Sequence, residues 1–372
     1  MKRIVVLLIA FALLFFCSFV VYAKESEKLP EEELSKELIE ITPDFVKDLA
    51  EKIGVDEITP EKLLDVDWKE LAGLAFDYAV DYLKEPLMSV GIVVTIIVIC
   101  AILETFRGSK DTTMSEIFSL VTTISILIPL VTSAINSVKN VGTSISSFSE
   151  FITGYVPVFA SSVIVSGQTA GGGIYSSFML VVCQITASIS ANTLLPLMGI
   201  YLGISIISAI SPSLKLNSIS NAFKTCVTRA LGLFLTIFVG MMSLQTFVAV
   251  GTDNLAVRAG KYLVGNFVPV VGSAISEVFL SVQGYMRLMK TCIGWFGVVA
   301  TILLFLPILI QTIIWKFSLF LAQITSQVLN VPAATSLLEA LGSVFTMLIA
   351  FILTFAMLLI VTTTLMLMSG MG

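Results

Sequence analysis

Histidine is absent from this chain, and with it the commonest general base and metal ligand among the side chains. Ser-His and Cys-His nucleophilic catalysis and His-ligated zinc are therefore excluded. The five cysteines form no Cys-x-x-Cys. Cys17 falls in an N-terminal leader-like run, Cys100 and Cys183 inside apolar stretches, and Cys226 and Cys292 near segment ends, which gives no disulfide framework. No His-Glu-x-x-His, no Gly-x-Ser-x-Gly with a base and no Gly-x-x-x-x-Gly-Lys phosphate loop occurs. An intramembrane aspartyl protease needs two Asp within spans, and Asp111 and Asp253 both read as lying outside them. No catalytic residue, cofactor site or metal site is predicted, and the chain is not read as an enzyme.

The residues left that could do chemistry are polar side chains set in apolar surroundings: Glu150, Gln168, Gln184, Asn192, Asn266, Glu277 and Gln283. The amides read as interhelical hydrogen-bonding groups worth about 1 kcal/mol each. Glu277 is different, because an ionisable residue at membrane depth is costly and needs a reason. These residues cluster around two related stretches, Gly154-Tyr155-Val156-Pro157 and Gly265-Asn266-Phe267-Val268-Pro269. Pro157 and Pro269 lie 112 residues apart, Pro196 and Pro307 follow them at nearly equal distances, and Ala230-Leu231-Gly232 recurs as Ala340-Leu341-Gly342. The shared spacing predicts an internal tandem repeat over about 117–229 and 230–342. Broken apolar segments at matching positions of two halves point to a transporter-like pathway, since unwound backbone needs a water-lined or protein-buried setting. The pathway and helix-break candidates are Tyr155, Pro157, Gly171, Gly172, Gly173, Phe267, Pro269 and Glu277.

The elements that must position these residues are helices in a membrane. Of the 372 residues, 56% are hydrophobic and 13% charged, and the mean hydropathy is +0.99. Residues 24–86 carry 19 acidic and 8 basic residues, a net charge of −11, whereas 87–372 carry a net +4. The predicted organisation is a signal peptide over 1–23, a small acidic helical exported region over 24–86 and a polytopic domain over 87–372. Thr42-Pro43-Asp44 and Thr59-Pro60-Glu61 are helix-start signals. Trp68, Leu71, Ala75, Tyr78 and Tyr82 form a stripe at helical spacing that Pro86 is expected to end, with Trp68, Tyr78 and Tyr82 as candidates for contact with a protein partner. Asp77, Asp81 and Glu85 opposite that stripe disfavour adsorption to anionic lipid.

The fold class is all-α with about seven transmembrane helices, or about nine if the two Pro-broken segments cross fully. The expected spans are 87–103, 117–138, 174–192, 194–210, 230–250, 291–315 and 344–368. Residues 139–152 are placed along the outer surface, 211–229 in a basic loop, and 253–261 in a polar connection.

The residues that carry a family resemblance are Tyr155-Val156-Pro157, Ala209-Ile210-Ser211-Pro212, Ala256-Val257-Arg258-Ala259-Gly260-Lys261-Tyr262 and Phe267-Val268-Pro269-Val270-Val271-Gly272. With the signal peptide and the acidic region, they make the chain similar over its whole length to the stage III sporulation protein AE family of endospore-forming bacteria. The resemblance implies a mother-cell protein of the outer forespore membrane, with its N-terminal region in the intermembrane space. It also implies partners: a secretion-type ATPase, small membrane proteins and ring-forming proteins that together build a channel-like complex needed for sporulation. In that complex this chain would be a platform or permease-like subunit, in contact with lipid and with no nucleic acid. The competing reading is an autonomous secondary transporter built on the repeat.

Overall fold

A computed structural model describes residues 38–52, 68–106, 112–210, 217–267 and 272–368. The expected signal peptide, the Thr59-Pro60 helix start and Pro269 lie outside them. Within these residues the chain is helical throughout. Helix α1 (Asp44–Lys52) follows Thr42-Pro43 as anticipated, although the Thr42 hydroxyl donates back to the Leu38 carbonyl at 2.7 Å and does not cap the new helix. Helix α2 (Trp68–Phe106) runs unbroken through Pro86, so that proline does not end it.

Helix α3 (Thr112–Val165) absorbs both Pro129 and Pro157. The expectation that Pro157 opens a break is corrected here. Its missing N–H leaves only the Thr153 carbonyl without a helical partner, and packing on both sides holds the helix together. Residues 139–152, expected on the surface, form the middle of α3. Val141, Ile145, Phe148 and Ile152 recur at 3–4 spacing and are buried, which places that stripe in the core.

Helix α4 (Thr169–Ser188) passes through a π-helical turn (Ile189–Thr193) into α5 (Leu194–Ile210). Ser188, Ile189 and Leu194 all keep right-handed helical dihedrals, so α4 and α5 form one run, in place of the two spans expected over 174–192 and 194–210. The π-turn immediately precedes Pro196, whose ring would crowd the Asn192 carbonyl in a regular helix. Helices α6 (Asn217–Phe267), α7 (Gly272–Val328) and α8 (Pro332–Met368) complete the bundle. Residues 217–229 of the expected basic loop and the expected polar connection at 253–261 are helical parts of α6, while 211–216 lie outside the described residues.

Five helices are long and apolar enough to cross a membrane, over Ala72–Leu103, Leu120–Val165, Ser218–Asp253, Met286–Val328 and Pro332–Met368. The protein is an integral membrane protein by this measure. Paired contacts fix the directions. Phe148 packs on Phe305, and the Tyr155 hydroxyl donates to the Ile293 carbonyl, so α3 and α7 are antiparallel. Trp315 stacks on Phe345, while Gly294 abuts Leu367, so α7 and α8 are antiparallel as well. The core is built on α7 and α8, and α2 and α6 flank it. Large apolar side chains stay exposed on both flanks, among them Ile99 and Leu103 on α2 and Leu244 and Phe247 on α6.

The Tyr155 motif is the centre of this packing. Phe151, Tyr155 and Phe159 stack along one face of α3, with ring centroids 5.4 and 5.6 Å apart. Tyr155 is fully buried, and its ring lies flat on Gly297 of α7, where any Cβ would collide with it. Tyr155 is thus a packing anchor between α3 and α7. Gly297→Val is expected to cost about 1–3 kcal/mol through overpacking, and Tyr155→Phe about 1 kcal/mol through its lost hydrogen bond. Combining Gly297→Val with Tyr155→Ala should be less damaging than the sum of the two, as thermal unfolding in detergent would read in a double-mutant cycle.

Candidate functional site

Among the described residues the core backbone reverses between packed helices at the α7–α8 turn around Asn330 and at the joint of α3 and α4, and the second of these gathers charged side chains. Helix α3 ends in a Schellman motif: Gly167 N–H donates to the Ile164 carbonyl at 3.0 Å and Gln168 N–H to the Val163 carbonyl at 3.2 Å. This geometry puts Gly167 at φ 94°, a left-handed conformation that glycine adopts without a steric penalty. Helix α4 starts at once, and its first amides need acceptors. The residue at the cap position, Gln168, supplies none from its side chain.

The acceptor comes from another helix. Asp253 of α6, only 5% exposed, takes the amide protons of Ala170 at 2.9 Å and Gly171 at 3.1 Å, and the Thr169 hydroxyl lies 3.4 Å away. A carboxylate at this point also meets the positive end of the α4 dipole. Gly171 leaves room for Met366 of α8, because a Cβ there would run into its terminal methyl, while Asp253 Oδ2 would stay at an ordinary contact distance of 3.4 Å. Gly172 plays the same part towards α3: a Cβ there would come within 2.8 Å of the Ala160 carbonyl oxygen.

A buried cation faces the same joint. Lys290 of α7 is 3% exposed, and its ammonium donates to Gln168 Oε1 at 2.8 Å. Three helices therefore converge on a short polar joint, with Asp253 on the α4 side and Lys290 on the Gln168 side. Bringing one charge of each sign to it limits the cost of burying either. No group of three or more metal-binding side chains occurs among the described residues. The arrangement satisfies unwound backbone inside an apolar bundle, and it can act as a hinge.

Of the residues singled out in the sequence, Gly171 and Gly172 belong to this joint, and Gly173 lies half-buried in the same turn. Pro157 sits half-buried inside α3, and Phe267 is the last residue of α6. Glu277 lies on α7 and Trp68 opens α2, both with side chains outside the described set; Tyr78 and Tyr82 stack on each other at a centroid distance of 5.9 Å. Glu150, Gln184 and Asn192 are exposed. Sequence reasoning missed Asp253 and Lys290. Their signal was isolation, since each is a lone charge carried into the flank of a long apolar run.

The described residues form an all-helical membrane protein with a polar joint between its packed helices. The chain belongs to the Stage III sporulation protein AE family, which matches residues 55–370. Stage III sporulation protein AE of Bacillus subtilis (strain 168) is 26% identical over 211 residues, covering 56% of this chain and 52% of the relative. The matched region thus spans about half the length of that protein. No solved structure matches. Family membership gives the chain a role in sporulation.

Removing the carboxylate tests the joint. Asp253→Ala should destabilise the protein by about 1–3 kcal/mol, and Asp253→Asn by less, because an amide oxygen still accepts one bond. Amide hydrogen exchange should accelerate selectively at Ala170 and Gly171. Unchanged protection there would show that α4 does not depend on Asp253.

Proposed function

We propose that this protein is a polytopic platform or permease-like subunit of a specialised, secretion-like complex that connects mother cell and forespore during sporulation. The family assignment over 55–370 carries this reading. Two physical features support it. The sequence holds no nucleotide-binding phosphate loop, so active transport needs a motor from elsewhere, such as a secretion-type ATPase. The joint of Gln168, Asp253 and Lys290 sets a helix N-terminus and two charged side chains among the packed helices, as membrane pathways built on interrupted helices also do.

In this reading the acidic region before α2 lies in the space between the two membranes, where ring-forming partners can meet it, and the body sits in the mother-cell membrane. The signal peptide over 1–23 directs that placement. The chain acts without enzymatic chemistry of its own.

Reconstitution separates this reading from an autonomous carrier. Purified protein in liposomes should move no small solute down an imposed gradient, and the same chain should restore sporulation to a spore-forming host lacking its own copy. Solute flux from the purified protein alone would overturn the subunit reading. The joint should matter in the cell too: Asp253→Ala at normal protein level should lower heat-resistant spore counts at least tenfold.

A further inference from the structure

A groove with a volume of about 440 Å³ opens between α1, α2, α3 and α7. Its floor is a hydrophilic stripe on α3 formed by Asn140, Thr143, Ser144 and Ser147, which recur at helical spacing. Facing it on α7 are Pro307 and Gln311. The rim is aromatic: Phe45 of α1, which is 44% exposed, and the stacked, half-buried rings of Tyr78 and Tyr82. The amide side chains of Asn140 and Gln311 make no hydrogen bond among the described residues.

The charge around it is one-sided. Asp48 and Asp81 lie close enough to Tyr78 for their charges to act on its phenol, and Asp44, Asp77 and Glu85 are exposed nearby on the same two helices. Lys47 is engaged by Asp44 at 3.1 Å, which leaves Lys84 and Lys139 as the opposing cations nearby. Over the described residues 38–52 and 68–86 there are eight acidic and four basic residues, a net charge of −4, and such a field draws in cations and repels anionic headgroups.

From this chemistry we infer that the groove is a docking site for an arginine-bearing, extended segment of a partner protein. A guanidinium stacks on tyrosine faces, donates to free amide and hydroxyl oxygens on the floor and pairs with carboxylates at the rim. Neighbouring aliphatic side chains of the segment cover Phe45 and Pro307. The volume admits a few side chains, which fits a peptide segment and excludes a folded domain. The inference rests on the subunit reading above, and it identifies the surface through which a partner reaches this chain on its acidic side.

The test uses the full-length protein in neutral detergent and fluorescent decapeptides alternating leucine with arginine, with the isosteric neutral citrulline, or with glutamate. Fluorescence anisotropy at low salt should show the arginine peptide binding at least about tenfold more tightly than the citrulline peptide, with affinity falling as salt rises. The combined change Asp48→Asn and Asp81→Asn should weaken the arginine peptide about fivefold or more. Tyr82→Leu should weaken it about threefold. Glu339→Gln, an exposed acid on α8, should change nothing.

Equal binding of the arginine and citrulline peptides would overturn the inference. So would unaltered binding by the groove variants, preferential binding to anionic vesicles, or self-association that the groove variants abolish. If the groove fails these tests while the chain still restores sporulation, the docking site falls and the subunit reading stands. Solute flux from the isolated protein would remove the subunit reading whatever the peptides do.

Discussion

Buried backbone must be hydrogen-bonded, and in this bundle that constraint concentrates at one carboxylate. The N-terminus of α4 lies against α3, α6 and α8, with Thr169 exposed, Ala170 half-buried and Gly171 buried. Asp253 accepts two of that terminus's amide protons from a different helix. The arrangement ties α6 to the α3–α4 joint as firmly as any apolar contact, because a charged acceptor desolvated against amides is costly to leave unpaired. The glycines of the first α4 turn exist in this context for proximity: Gly171 lets Met366 of α8 approach and Gly172 lets the Ala160 carbonyl of α3 approach.

The same bundle raises a geometric question about its membrane. Helices α3, α6 and α7 contain 54, 51 and 57 residues, so each extends roughly 75–85 Å at 1.5 Å per residue. That is more than twice the ~30 Å hydrocarbon core. The exposed apolar faces are also staggered. The Ile99–Leu103 part of α2 lies level with Thr122 of α3, as the Thr122–Cys100 contact shows. The exposed Leu244 and Phe247 of α6 lie between its contacts with Phe178 and Gly171 of α4, level with the C-terminal end of α3. One slab covers both faces only if the bundle axis is steeply oblique to it.

Several wrong boundaries share a cause. Pro86 and Pro157 read as helix breaks, and the Ser-rich 139–152 stretch read as a surface segment, because local sequence weighs proline and polarity without knowing what packs nearby. In the structure Pro86 is buried in α2 and Pro157 continues α3. One lost hydrogen bond is outweighed there by the aromatic stack and by helix–helix packing along the whole face. Gly167, the residue that does end α3, is one of many glycines in an apolar chain. Its role depends on a left-handed turn that only the packing of α4 back onto α3 requires.

The sequence by itself determined the class. Its apolar runs and the segregation of acid into 24–86 pointed to a helical membrane protein, because burial preference is written residue by residue. Tertiary structure alone decided where the helices stop, that α4 and α5 form one run, that Tyr155 is an anchor seated on Gly297, and that Asp253 and Lys290 meet at the joint. Those outcomes depend on groups more than 80 residues apart in the chain. Contacts of that range follow from how whole helix faces fit together, and local periodicity carries no record of them.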